Sequence, residues 1–114
     1  ILEKDYKKYK NKIKPFIKSI EIDAAIATGE SVAVSTMKAI KKSDKKIPRD
    51  VSVVAFSNGI LSRHSSPKMT TISQHGEQIG ARATQILIDK LKTKSKEVVT
   101  EVIKTDIVIR DSTR

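Results

Sequence analysis

With 114 residues, the chain has room for one domain and one modest core. It contains no cysteine, which excludes disulfides, thiolate metal sites and a cysteine nucleophile. The formal net charge of +10 invites a nucleic-acid reading. However, Lys4, Lys7, Lys8, Lys10, Lys12, Lys14 and Lys18 alternate with apolar positions, as on the solvated face of an amphipathic helix, and no arginine cluster accompanies them.

No apolar run reaches the ~18 residues of a membrane span. The chain opens on Ile1 without an initiator Met and is expected to be a piece of something longer. Leu2, Tyr6, Tyr9, Ile13, Phe16, Ile17 and Ile20 step by threes and fours, which predicts a helix with a kink or restart at Pro15. Residues 22–27, Ile-Asp-Ala-Ala-Ile-Ala, form a short apolar run that reads as a strand buried on both faces. A helix is predicted over 30–42, with Ala33, Met37 and Ile40 turned inward and Lys38, Lys41 and Lys42 outward. Val34 lies off that stripe, where a partner subunit could pack.

Residues 47–50 read as a turn into a second buried strand, 51–56. Residues 57–68 read as a loop with Gly59 and Pro67, longer than most connections and therefore a place for function. A short third strand is predicted over 71–73 and a third helix over 76–92, its buried face marked by Ile79, Ala83, Ile86, Leu87 and Leu91. Gly80 within that helix points to close packing against a bare backbone. Alternation at Ile103, Thr105, Ile107 and Ile109 predicts a last strand. The order describes an α/β, three-layer architecture: a mainly parallel sheet with helices on both faces, all within one domain spanning 1–114.

Ligands of open parallel sheets bind beyond the carboxyl ends of the strands. Thr28, Gly29 and Glu30, then Ser57 and Asn58, then Gln74 fall there, with small polar groups suited to a sugar or another small polar molecule. The same residues also read as ordinary turns. Catalysis has little support: Glu30 is the one carboxylate at that edge, Ser57 has no nucleophile elbow, and the four glycines form no phosphate loop. His64 and His75 lack a second ligand at metal spacing. No catalytic residue, metal site or cofactor is expected.

Five segments, in order, resemble the lactose/purine repressor family. Residues 23–30, DAAIATGE, look like its "DAvfaaND". Residues 47–58, IPRDVSVVAFSN, are similar to "vPeDvsVvGfDd". Residues 67–74, PKMTTISQ, resemble "PpLTTvrQ". Gly80, Ala83, Leu87 and Leu91 fall where its "GxxAxxxLxxxL" helix does, and residues 108–113, VIRDST, resemble the closing "lvvReST". The resemblance implies the C-terminal subdomain of a fold like that of periplasmic binding proteins. It implies the effector-binding and dimerisation part of a cytoplasmic bacterial repressor, with headpiece and partner subdomain outside this chain. Such a chain alone neither binds an operator nor encloses an effector.

The implied effector contacts are Thr28, Gly29, Glu30, Ser57, Asn58 and Gln74. Gly29 and Ser57 stand where the family carries Asn and Asp, which argues for a small polar ligand other than a typical hexose, or for a partner protein. The implied homodimer surface holds Val34, Lys38, Ser62, His64, Ser66 and Pro67. The rival of the same fold is an exported periplasmic sugar- or solute-binding protein of a transporter, disfavoured by the "vReST"-like ending. A receiver-like signalling domain lacks its clustered acids here, and a Lys-driven nucleic-acid binder would show a steep salt dependence.

Overall fold

The computed structural model describes residues 12–13, 15–17 and 21–114. Residues 12–13 and 15–17 are helical, Pro15 included, and Ile17 is buried; the remainder of the predicted first helix lies outside the described residues. Then follow β1 (Ala24–Ala27), α1 (Glu30–Lys41), β2 (Ser52–Phe56), α2 (Ile60–His64), β3 (Thr70–Ser73), α3 (Gly76–Thr93) and β4 (Asp106–Val108). The strands lie side by side in chain order. The pairs β1–β2 and β2–β3 are parallel, whereas β4 runs antiparallel to β3.

Register fixes which side chains share a face. Ala25 pairs with Val53, and Ala27 with Ala55, which in turn pairs with Thr71. These positions of β2 and β3 are fully buried, with Val51 continuing the row. Ala33, Met37, Ala39 and Ile40 of α1 pack on this face, and Met69 and Ile17 complete the same cluster. Two hydroxyls are buried along with them, and each is satisfied within the helix: Ser35 Oγ donates to the Ser31 carbonyl at 2.8 Å and Thr36 Oγ1 to Val32 at 3.0 Å. Lys38, Lys41 and Lys42 remain exposed, as the periodicity predicts.

Five expectations need correction. β1 is an edge strand and is not buried on both faces: Ile26 is 71% exposed. Residues 57–68 are not all loop, because α2 lies within them. The apolar face of α3 exists, but it covers nothing among the described residues; α3 buries no residue, and Leu87 and Leu91 are exposed. A Cβ at Gly80 would meet no atom within 4 Å, so no close packing explains that glycine. The last strand is also shorter than its alternation suggests, with Ile107 and Ile109 exposed.

The segment after β4 splices the sheet from below. Buried Ser112 accepts the Thr70 N–H at 2.8 Å and donates through Oγ to the Val53 carbonyl. Its own carbonyl accepts the Val53 N–H at 2.8 Å, so one residue satisfies backbone groups of both β2 and β3.

Candidate functional site: a polar cleft and an apolar groove sharing one helix

Two concavities lie on either side of α2. The first is an open cleft of about 480 Å³ where β2 and β3 end, lined by Ser57, Asn58, Arg63, Gln74, His75 and Glu77 among others. Parallel strands end together, so the loops that leave them converge without any local sequence signal. Ser57 sits at φ 104, a backbone region that L-residues rarely adopt, and its N–H donates to the Ile72 carbonyl at 3.0 Å. His75 is also left-handed, at φ 51, where the chain turns into α3. Its Nε2 lies 2.8 Å from Asp106 Oδ2, which ties α3 to β4.

Of the six expected ligand residues, Ser57, Asn58 and Gln74 line this cleft; Thr28, Gly29 and Glu30 do not. Glu30 is occupied elsewhere. Its Oε1 accepts the Ser62 N–H at 3.0 Å, so the first residue of α1 caps the amino end of α2. This bond requires Gly59, where a Cβ would stand 2.6 Å from Glu30 Oε2. At Gly29 a Cβ would meet nothing within 4 Å, so no steric demand accounts for that glycine.

Asn58 is the most constrained residue of the cleft. Its Oδ1 accepts from Arg110 Nη2 and, at 3.3 Å, from Thr71 Oγ1. Arg110 also donates through Nη1 to the Met69 carbonyl at 2.7 Å and to Thr71 Oγ1 at 3.1 Å. Arg63 Nη2 reaches the Asn58 carbonyl at 3.4 Å. Periodicity marks neither arginine: Arg63 lies on a helix too short to show a period, and Arg110 belongs to a closing segment whose contacts are all long-range.

The second concavity is an apolar groove of about 260 Å³ between α1 and α2. It gathers Val34, Lys38, His64 and Ser66 from the expected pairing surface and adds Met37 and Leu61. Pro67 borders a neighbouring hollow with Lys41, Lys45 and Lys46. Ser62 corrects the expectation: it is fully buried, its N–H bound to Glu30 and its Oγ donating to the Gly59 carbonyl at 2.8 Å. A partner cannot touch it without unfolding α2.

Among the described residues, no group of three His, Asp or Glu is placed to hold a metal ion, and no helix is long and apolar enough to cross a membrane.

The comparisons with known proteins agree with this geometry. A family model described as a periplasmic binding protein-like domain matches residues 3–113. The chain is 31% identical over 91 residues to the HTH-type transcriptional repressor PurR of Pasteurella multocida, covering 80% of this chain and 27% of that protein. It is 32% identical over 93 residues to the ribose operon repressor of Halalkalibacterium halodurans, covering 82% of this chain and 28% of that protein. Among solved structures, the complex of the transcriptional regulator CelR with cellobiose superposes with a TM-score of 0.87 at 22% identity, covering 96% of this chain and 34% of that one. The chain thus spans little more than a quarter of the curated relatives it matches.

Proposed function

Since this chain belongs to the periplasmic binding protein-like domain family, in the form found in lactose/purine-type transcriptional regulators, we propose that it is the C-terminal effector-binding and pairing lobe of a cytoplasmic bacterial repressor. The polar cleft at the ends of β2 and β3 carries the reading. Ser57, Asn58 and Gln74 bring hydroxyl and amide groups to one open concavity, the chemistry that fixes a small polar ligand. Operator contact belongs to a separate headpiece, and a second lobe closes over the effector. The uncovered apolar face of α3 and the stretch that follows it support such a lobe: Leu87 and Leu91 on the helix, and Val98 and Val102 beyond it, are all more than half exposed.

The groove between α1 and α2 serves pairing with a second copy, with Val34 and Leu61 as its apolar floor and Lys38, His64 and Ser66 at its edge. The chemistry is that of binding, not turnover. Glu77 and His75 are the carboxylate and imidazole of the described lining, and His75 is already bonded to Asp106, which leaves neither paired with the other for proton transfer.

The test is a ligand screen by thermal melting on the intact protein, using sugars, sugar acids and nucleobases. A ligand at about a hundred times its Kd stabilises the folded state by roughly 2.7 kcal/mol. We expect at least one such response, lost in Gln74→Trp, which fills the cleft from an exposed position. A response that survives Gln74→Trp, or no response to any compound, rejects the cleft as an effector site.

A further inference from the structure

Asn58 can present either its amide oxygen or its amide nitrogen to the cleft, and the residues behind it decide which. A guanidinium has donors only, so Arg110 Nη2 accepts no proton and the Asn58 side chain must turn Oδ1 toward it. Thr71 enforces the same choice. Its hydroxyl accepts from Arg110 Nη1 at 3.1 Å, which leaves its single proton for Asn58 Oδ1 at 3.3 Å. With the oxygen held by both, the NH2 group faces the other way, from a residue that lines the cleft.

The charge around this amide has the same sense. Arg63, one turn into α2, lines the cleft and reaches the Asn58 carbonyl at 3.4 Å. The strand-end carboxylate that could have opposed it, Glu30, is bound to the Ser62 N–H, and the position before Asn58 is a serine. Glu77 on the first turn of α3 is the remaining carboxylate of the lining, available to ligand hydroxyls. His75 is already engaged by Asp106 at 2.8 Å.

We propose that Arg110 fixes Asn58 as a donor, and that Asn58 and Arg63 together select an effector bearing an anionic oxygen, a carboxylate or phosphate on a small polyol. Arg110 is a positioning residue: it does not itself line the cleft, and its Nη1 and Nη2 donate to Asn58, Thr71 and the Met69 carbonyl. This selectivity rests on the cleft being the effector site. A charged acceptor gains most from such donors, since hydrogen bonds to ionised groups are roughly twice as strong as neutral ones.

The experiment is calorimetric titration of the intact protein with glucose, glucuronate and glucose 6-phosphate at matched ionic strength. These probes share one ring and differ in the anion, and the two anions separate carboxylate from phosphate. We expect at least one anion to bind about tenfold or more tighter than glucose, a gap of about 1.4 kcal/mol. Asn58→Asp keeps an acceptor for Arg110 but turns a carboxylate to the cleft, and it should erase that preference. Arg110→Gln, which can donate or accept, frees the amide to invert and should bring the ratio of anion to glucose affinity toward one. A loss of stability without a change in that ratio would instead make Arg110 purely structural.

Glucose bound as tightly as both anions, no binding of either anion, or an undiminished preference in Asn58→Asp overturns the proposal. Glucose bound as tightly as both anions, with that binding lost in Gln74→Trp, overturns it while leaving the cleft as the effector site. Anion binding that survives Gln74→Trp overturns both.

Discussion

Glu30 shows how topology can nominate a residue for a cleft that it does not line. Its position after β1 points it at the cleft, but its carboxylate holds the Ser62 N–H, a partner 32 residues further on that no local pattern reveals. Glu30→Ala should cost about 1–2 kcal/mol in urea unfolding, the usual loss for an amino-terminal cap. Gly59→Ala should cost a similar amount by displacing the carboxylate, since its Cβ would stand 2.6 Å from Oε2. The two losses act on one interaction, so the double variant should fall short of their sum, and full additivity would show that Gly59 does not act through the cap. Asp50 offers a second residue-scale test. The Arg49 guanidinium, bonded to it at 2.8 Å, and the Lys46 N–H at 2.7 Å lower its pKa from 3.8 to about 2. A depressed carboxylate pKa contributes stability above the unfolded value, and that contribution is lost as pH falls through the folded one. Acid unfolding should therefore show an Asp50-dependent component between about pH 4 and pH 2, absent in Asp50→Asn and invisible between pH 5 and 7. Of the cleft, Ser57, Asn58 and Gln74 are legible from strand ends alone. Arg63 and Arg110 are not, because their placement depends on α2 and on contacts up to 52 residues apart.

At the scale of elements, α1 and β2 are legible because one face of each is more deeply buried than the other, and burial is what hydrophobic periodicity records. By contrast, β3 buries consecutive Thr70 and Thr71 and shows no such alternation. The five residues of α2 are too few to show a period, so Ile60 and Leu61 pass as stray apolar residues in a polar loop. Yet α2 forms part of the wall of both concavities: Arg63 faces the polar cleft, whereas Leu61 and His64 line the apolar groove. The groove's other wall is α1, where Val34 packs against the edge of the core while still lining the opening. A second copy seated there would desolvate whatever stands at position 34. Val34→Glu should thus convert a dimer to a monomer in light scattering on a size column, because a buried unpaired carboxylate costs several kcal/mol. The melting temperature of the monomer should change little, since Val34 is only half-buried within its own chain. A monomeric wild type, or a dimer untouched by the substitution, removes the groove as a pairing surface.

The molecule as a whole measures 59 × 28 × 22 Å with a radius of gyration of 18.1 Å. A compact chain of this length has a radius near 13 Å. The core gathers residues from Ile17 to Met69, whereas α3 and the stretch 94–105 contribute no buried residue among those described. Periodicity correctly marks an apolar face on α3, but a pattern states only that a face is to be covered, not by what. Ile79, Leu87 and Leu91 on that face are 47% to 71% exposed, and Val98, Val99 and Val102 extend the apolar surface along the chain. The 18 residues of α3 bury nothing, and apart from its own helical bonds α3 is held by exposed polar contacts such as Arg82 to Glu101 and Lys90 to the Glu97 carbonyl. Most helical stability in proteins comes instead from packing an apolar face. Native-state hydrogen exchange should separate the two halves: in the chain alone, β2 amides should exchange with the global unfolding free energy and α3 amides near the rate of a fraying helix. In the intact protein, a lobe seated on α3 should slow those amides by several orders of magnitude without altering β2 by a comparable factor. Equal protection of α3 in both would mean that the helix stands without a partner. The apolar face would then have to be explained by a contact of the chain with itself.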